Sequence, residues 1–227
     1  MIYVYSDTHF DHKNIIFYCN RREDWQEKFL ALHKKIVGPH DTVLFLGDLG
    51  FGSPERMKSL LDQLSFKQFI AILGNHDKSV QWLIDSGVDV VLYEHGQRMT
   101  IVDDEYPVHV TLVGQHKDPR HEQTWTQAEL KVPHVAISHE PYENIDWPYL
   151  RGHTHNNPVP WDYTEEPYRL HRGMGRNVSV EMIDYTPVPL PFLIGDEPWI
   201  RKYHEHYYKH LFGFEKRRKR SDVRKGV

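Results

Sequence analysis

The chain has 227 residues, of which 39% are hydrophobic and 26% are charged, a balance that suits one large globular domain and excludes a disordered segment. Its apolar runs are shorter than the ~18 residues that a membrane span needs, and its single cysteine, Cys19, excludes an internal disulfide. Acidic side chains within the first eleven residues argue against a signal peptide. We therefore expect a cytoplasmic protein with no membrane partner.

The first ninety residues alternate between predicted strands and helices. Unbroken apolar runs suit strands that are buried on both faces, and apolar residues three or four positions apart suit helices. Strands are predicted at "MIYVYSD", "TVLFLGD" and "QFIAILGNHD", and helices at 23–37, at 54–64 after the N-cap Ser53, and at "SVQWLIDSG". This alternation predicts an α/β fold with adjoining parallel strands.

The rest of the chain is richer in predicted strands. They are "VDVVLYEHG", "QRMTIVDDE", "YPVHVTLVG", "HVAISHE" and "NVSVEMIDYTPV", interrupted by a polar insertion at 115–131 and an irregular stretch at 156–176. Without repeats or a flexible linker, one domain is expected over 1–197. A C-terminal helix and a basic tail follow over 198–227.

The net charge of −4 is unevenly distributed. Residues 214–227 hold seven basic and two acidic side chains, a net of +5, which leaves −9 for the remainder of the chain. Such a tail is able to bind nucleic acid, and the alternative is a solvated terminus without a ligand.

Polar side chains stand at the ends of several predicted strands. Ligands of open α/β sheets collect outside the carboxyl ends of the strands, so these donors are expected to converge. Seven of them could share two metal ions: Asp7, His9, Asp48, Asn75, His139, His153 and His155. Mixed carboxylate and imidazole donors suit Mn, Fe or Zn better than Mg or Ca. Because no thiolate accompanies them, a cysteine-type structural zinc site is excluded.

These donors fall into five short motifs. They are D-x-H at 7–9, G-D at 47–48, G-N-H-D at 74–77, a lone His139 after a strand, and G-H-x-H at 152–155. In this order the motifs resemble those of the calcineurin-like metallophosphoesterase superfamily, and "HFDHKNI" resembles its small bacterial and phage-borne members. The resemblance implies a four-layer α/β/β/α sandwich of two mixed sheets flanked by helices.

The resemblance also implies a role for each motif residue. The first metal ion would be held by Asp7, His9 and His155, the second by Asn75, His139 and His153, and Asp48 would bridge the two. Both ions would be divalent transition metals, with Mn favoured and Fe or Zn as alternatives. His76 would assist the leaving group as a catalytic residue beside Asp48, and Asp77 would orient its imidazole.

Four further residues are predicted to contact the substrate, each with a structural alternative. His12 and Asn14 would shape the rim of the site, or cap the following segment. Arg151 would meet a substrate phosphate, or make a surface ion pair. His116 would form a positively charged lip, or lie in a solvated loop.

The segment after the G-D motif bears on the substrate. Protein phosphatases of this superfamily carry an arginine there that grips a dianionic monoester, whereas this chain has "GDLGFGS". We therefore predict a dinuclear-metal-dependent phosphodiesterase. Its substrate would be a small nucleotide-like phosphodiester, linear or cyclic, attacked by hydroxide that the metals generate. The alternatives are a nuclease that uses the basic tail, a phosphomonoesterase, and a non-catalytic binding scaffold.

Overall fold

The computed structural model of the chain describes residues 1–103, 106–113, 133–141, 149–156 and 175–194. The chain divides into two compact units, Met1–Gly195 and Asp196–Val227. The second unit lies outside the described residues, and with it the predicted C-terminal helix and basic tail. The predicted insertion at 115–131 and nearly all of the irregular stretch at 156–176 also lie outside them.

Ten strands and five helices are described within the first unit. The strands are β1 (Ile2–Tyr5), β2 (Thr42–Phe45), β3 (Gln68–Ile72), β4 (Val90–Leu92), β5 (Arg98–Asp103), β6 (Tyr106–Leu112), β7 (His134–Ile137), β8 (Tyr149–Arg151), β9 (Gly175–Asn177) and β10 (Val188–Pro189). The helices are α1 (Ile15–Cys19), α2 (Trp25–Ile36), α3 (Pro54–Leu61), α4 (Val80–Asp85) and α5 (Leu190–Leu193).

The strands form two five-stranded mixed sheets. The first sheet has the order β10-β1-β2-β3-β4, in which β1 to β4 are mutually parallel and β10 is antiparallel to β1. The predicted alternation of strands and helices with adjoining parallel strands is therefore confirmed. The second sheet has the order β5-β6-β7-β8-β9, with an antiparallel β5–β6 pair followed by parallel neighbours.

The two sheets pack face to face around one apolar core. Alternate side chains of each strand point into it, as the two-residue period of a strand requires. From the first sheet these are Ile2, Val4, Leu44, Leu46, Ile70 and Ile72, and from the second Val108, Val110, Leu112, Val135, Ile137 and Leu150, all fully buried. Two mixed sheets with flanking helices confirm the predicted fold class.

The strand predicted over 177–188 is wrong. The chain leaves β9 at Asn177, makes an isolated bridge from Ser179 to Ser6 after β1, turns through 180–185 and joins the first sheet at β10. Asp184 and Tyr185 both have positive φ, 49° and 60°, which no strand accommodates. The apolar residues of this segment alternate as they would in a strand, but they are buried because they lie at the two ends of a turn. Strand β8 and the short helix α1 were not predicted, because three and five residues carry too little periodicity.

No helix among the described residues is long and apolar enough to cross a membrane.

The outer face of the first sheet buries an aromatic cluster under helix α2. Tyr5 packs against Phe29 and Phe45 with ring centroids 5.0 and 5.5 Å apart. His33 of α2 lies 5.6 Å from the Tyr5 ring and is fully buried, with neither ring nitrogen hydrogen-bonded. Burial lowers the pKa of His33 to about 3, because charging the imidazole there would cost solvation that nothing replaces.

We expect His33→Phe to stabilise the protein increasingly as the pH falls. Below its ordinary pKa of 6.5 the unfolded His33 takes up a proton that the folded one excludes until about pH 3. Wild-type stability is therefore lost across that window, by up to about 1.4 kcal/mol per pH unit from this residue. The variant has no such loss, and at neutral pH it gains about 1 kcal/mol by removing unsatisfied polar atoms.

Urea denaturation of both proteins at about pH 7 and about pH 5.5 measures this difference. The matched control is His40→Phe, the same exchange at an exposed position, which should change stability by less than about 0.5 kcal/mol at either pH. A constant difference between His33→Phe and wild type at the two pH values would contradict the assignment.

Candidate metal centre

The loops that follow β1, β2 and β8 place functional side chains through left-handed backbone. Positive φ angles occur at five predicted ligands: Asp7 (56°), His9 (47°), Asp48 (63°), His153 (71°) and His155 (50°). Each such residue costs on the order of 1 kcal/mol or more, and such residues concentrate where the chain must aim a side chain for function. The sharp turns bring the donors of separate loops together at the carboxyl ends of the strands.

The first group of donors consists of Asp7, His9 and His155, whose ligand atoms all lie within 4.8 Å of one another. Asp7 Oδ1 lies 3.9 Å from His9 Nε2 and 3.7 Å from His155 Nε2. These separations are too long for hydrogen bonds. They suit atoms arranged around one ion, since ligands ~2.0–2.2 Å from a shared metal are themselves ~3–4 Å apart.

Asp48 lies between this group and a second one. Its Oδ2 is 3.4 Å from His9 Nε2 and 3.2 Å from His139 Nε2, and Asp7, Asp48 and His139 form another triad of donors. Oδ2 of Asp48 and both ring nitrogens of His9 are buried without a hydrogen bond. Buried polar atoms left without hydrogen bonds at converging carboxylates and imidazoles are what a pair of divalent cations would satisfy.

The second group gathers around the amide of Asn75. Asn75 Oδ1 lies 2.7 Å from His139 Nε2 and 3.0 Å from His153 Nδ1. His139 Nδ1 lies 2.8 Å from the Leu46 carbonyl, to which it donates, so Nε2 is the atom free to ligate. The structure thus brings all seven predicted donors together, and their division between two ions stays a prediction of the resemblance.

The charges of the site are strongly coupled. Burial lowers the pKa of His9 to about 2, so its imidazole is neutral. Burial also opposes charge on His139 and His155, but Asp48 raises the pKa of His139 to about 9. For His155, hydrogen bonds to Cys19 and Glu181 raise the pKa to about 10. Bound cations would displace these protons, since imidazoles ligate in the neutral form.

A buried network that the sequence did not reveal holds Asp7 and His155 in place. Asp7 Oδ2 accepts hydrogen bonds from Ser6 Oγ at 2.5 Å and from Ser179 Oγ at 2.9 Å. Glu181 accepts from His155 Nδ1 at 3.0 Å and from Arg21 Nε at 2.6 Å. The same guanidinium donates to the carbonyls of Asp7 and Thr8. Arg21 and Glu181 are 160 residues apart and belong to no motif, so no local pattern could have found them.

The predicted role of Asp77 is wrong. Its buried carboxylate does not contact the His76 imidazole; it accepts backbone N–H groups from Asp48 at 3.0 Å, Leu49 at 2.9 Å and Gly74 at 2.8 Å. Burial and the charge of Asp48 raise the pKa of Asp77 to about 6. Asp77 therefore fastens the loop after β3 to the loop after β2, because those N–H groups have no strand partner there.

His76 lies at the open side of the site. Its side chain is exposed, its ring centroid is 5.4 Å from that of His9, and its backbone N–H donates to Asp48 Oδ1 at 2.8 Å. His12 is half-buried nearby, with its ring 5.6 Å from His9. Asn14 is exposed at the N-cap of α1, where its side chain makes no capping bond. His116 lies outside the described residues.

Arg151 does not lie at the surface and is not placed to contact a ligand at the exposed side of the site, where His76 lies. Its side chain is fully buried, and Nη1 donates to the Gly152 carbonyl at 2.9 Å and to Thr154 Oγ1 at 2.7 Å. The predicted phosphate contact and its surface alternative are both wrong, because the guanidinium braces the G-H-x-H loop from below.

Two known proteins are similar to this chain over most of its length. MJ1445, an uncharacterized protein of Methanocaldococcus jannaschii, is 28% identical over 199 residues, which are 85% of this chain and 89% of that protein. The crystal structure of AQ665 from Aquifex aeolicus, a protein of unknown function, matches with a TM-score of 0.50. The match covers 83% of this chain and 94% of AQ665. At 24% identity it shows the shared fold alone.

A family model supplies the assignment. The model described as calcineurin-like phosphoesterase matches residues 1–218. Together with the converging Asp and His groups, this match supports a metal-dependent hydrolase of phosphoesters. The chain belongs to the calcineurin-like phosphoesterase family.

Proposed function

We propose that this protein is a phosphodiesterase that hydrolyses a small nucleotide-like phosphodiester, linear or cyclic, with two Mn ions. The observation that carries the diester preference is the residue that the loop after Asp48 presents to the site. That residue is Phe51, whose ring centroid lies 5.9 Å from His9 and 5.6 Å from His76. A dianionic monoester calls for a cation at such a position, whereas a monoanionic diester does not.

Two described cations that follow this loop in the sequence or contact it, Arg56 and Lys78, are engaged elsewhere. Arg56 makes a two-pronged ion pair with Asp11, at 2.6 Å from Nε and 3.1 Å from Nη2. Lys78 donates to the Gly52 carbonyl at 2.7 Å and lies over the Trp82 ring. Neither side chain is available for a second negative charge on a phosphate without giving up these contacts.

The side chains have separate tasks in this proposal. Asp7, His9 and His155 would hold one ion, Asn75, His139 and His153 would hold the other, and Asp48 would serve both. When bound, the two cations neutralise the phosphoryl oxygens and lower the pKa of the attacking water. His76 is the exposed imidazole beside this centre, and its ring N–H donates a proton to the departing oxygen.

The test compares hydrolysis of bis-p-nitrophenyl phosphate and p-nitrophenyl phosphate with added Mn, after chelation, and in His76→Ala. We expect the diester to be preferred and chelation to abolish turnover. For a diester whose leaving group is an alkoxide, such as a nucleoside cyclic phosphate, we expect His76→Ala to lower turnover about a hundredfold or more, since general acid catalysis contributes ~10²–10⁴. The loss should be smaller for the p-nitrophenyl esters, because p-nitrophenolate leaves without a proton. The metal content of His76→Ala should equal that of wild type, because His76 holds no ion.

Three results would contradict parts of the proposal. Preference for the monoester would contradict the inference from Phe51 while leaving the metal site intact. Loss of metal in His76→Ala would make that residue a ligand. Cleavage of DNA or RNA that exceeds small-ester turnover and falls after truncation at Phe214 would favour the nuclease alternative.

Because Cys19 is a buried free thiol, we place this activity in the cytoplasm.

A further inference from the structure

Three aromatic side chains line one side of the mouth. The rings of Phe51 and His12 are stacked, with centroids 4.0 Å apart and planes inclined by 26°. The Tyr18 ring follows at 6.1 Å from His12. We call Phe51, His12 and Tyr18 the aromatic wall. Its members come from the loop after β2 and from the segment after β1, so it spans two of the loops that build the metal centre.

Backbone contacts tie together the two loops that carry Phe51 and His12. Phe51 N–H donates to the Phe10 carbonyl at 2.8 Å, and His12 N–H donates to the His9 carbonyl at 3.0 Å. An isolated parallel bridge between Phe10 and Gly50 ties the two loops together. The two loops that carry the stacked pair are therefore tied together before any ligand arrives, which reduces the loop-ordering entropy that binding would otherwise cost.

The wall keeps apolar surface in water beside the reactive groups. Phe51 is 40% exposed and Tyr18 is 69% exposed. Neither side chain belongs to the buried core. Among the described residues, their ring contacts are only with His12 of the wall and with the imidazoles of His9 and His76. Adjoining exposed aromatic residues beside the candidate metal centre suit a surface that binds a flat ligand.

We propose that the aromatic wall binds a planar ring of the substrate, a nucleobase, and so determines which phosphodiester is cleaved. The proposal rests on the function proposed above. In a nucleotide one sugar separates the base from the phosphate. The Phe51 ring centroid lies 5.9 Å from that of His9 and 5.6 Å from that of His76, so the site can contact the phosphate while Phe51 contacts the base. Stacking on aromatic rings tolerates any base, which predicts selection for nucleotides without selection among them.

The test is calorimetric titration of the Mn-loaded full chain with AMP and with ribose 5-phosphate. Both ligands offer the same phosphate, and only AMP offers a base. We expect AMP to bind about 5- to 100-fold more tightly than ribose 5-phosphate, the range that stacking of one base supplies. In Phe51→Ala and Phe51→Leu this ratio should fall to about one or two while the affinity for ribose 5-phosphate is unchanged. Phe51→Trp should keep the ratio.

The matched control is Phe17→Ala, which removes a phenyl ring that is 83% exposed and makes no ring contact with the wall among the described residues. It should leave both affinities as they are. The proposal that the wall binds a base would be contradicted if wild type bound AMP and ribose 5-phosphate equally, or if Phe51→Leu kept the wild-type ratio. Neither result would contradict the proposed phosphoesterase site. If neither ligand binds, the wall is overturned, because a base stacked on it would retain AMP even at a site that does not favour a dianionic monoester.

Discussion

Asp48→Asn is expected to abolish activity while leaving the protein folded. Asp48 is the donor predicted to serve both ions, and its Oδ2 lies 3.4 Å from His9 Nε2 and 3.2 Å from His139 Nε2. An asparagine keeps an oxygen for the His76 N–H, which Asp48 Oδ1 now accepts at 2.8 Å. Its amide nitrogen would then stand where Oδ2 stands, and an amide N–H cannot ligate a cation.

The expected loss in turnover of the diester is about a thousandfold or more, since a metal ion contributes several kcal/mol to stabilising the transition state. Metal content after equilibrium dialysis against Mn should fall from two ions to one or none. The matched control is Asp62→Asn, the same exchange at a carboxylate that is 61% exposed and pairs with Lys58 at 2.9 Å. Two retained ions and wild-type turnover in Asp48→Asn would show that the carboxylate is not shared.

The convergence of the donors could be predicted because all of them except the lone His139 belong to a motif with its own local pattern. D-x-H, G-D, G-N-H-D and G-H-x-H each combine a strand end with a ligand, and parallel strands bring such ends to one edge. The structure accordingly places Asp7, Asp48 and His139 within 4.8 Å of one another. The parallel part of the first sheet was predictable for the same reason, since its strands are unbroken apolar runs.

The supporting contacts could not be predicted, because they join residues far apart in the chain. Glu181 lies in a segment whose apolar alternation imitates a strand, and only the turn there carries its carboxylate to His155. Asp77 was assigned to its sequence neighbour His76, yet it accepts N–H groups from the loop after β2. Arg151 adjoins a ligand motif but points beneath it. Adjacency in sequence indicates which loop a residue belongs to, and says little about which way its side chain points.

The glycines of the motifs have a steric function that follows from this crowding. At Gly74 a Cβ would lie 2.3 Å from both the backbone nitrogen and Oδ1 of Asp48, and at Gly152 it would lie 2.4 Å from Asp7 Oδ2. Real Cβ atoms do not approach other atoms so closely. Each glycine therefore lets one loop lie directly against the carboxylate that another loop supplies, and the donors meet only because these side chains are missing.

Gly74→Ala should consequently damage stability and the metal centre together. The atoms that the new methyl meets are a backbone nitrogen and a carboxylate held by the His76 N–H, so neither can move aside cheaply. We expect a loss of about 3 kcal/mol in the free energy of unfolding. We also expect about a hundredfold lower turnover, because displacing Asp48 by ~1 Å misplaces a shared ligand.

Urea denaturation of the metal-free protein separates the packing cost from the loss of metal, which dialysis measures independently. The matched control is Gly38→Ala, where the nearest atom to the new methyl is Asp41 Oδ2 at 3.4 Å, and its stability should stay within about 1 kcal/mol of wild type. Normal stability with lost metal in Gly74→Ala would mean that the loops separate freely and that Asp77 does not fasten them. Normal metal content with lost stability would mean that Asp48 keeps its position while the strain spreads into β3.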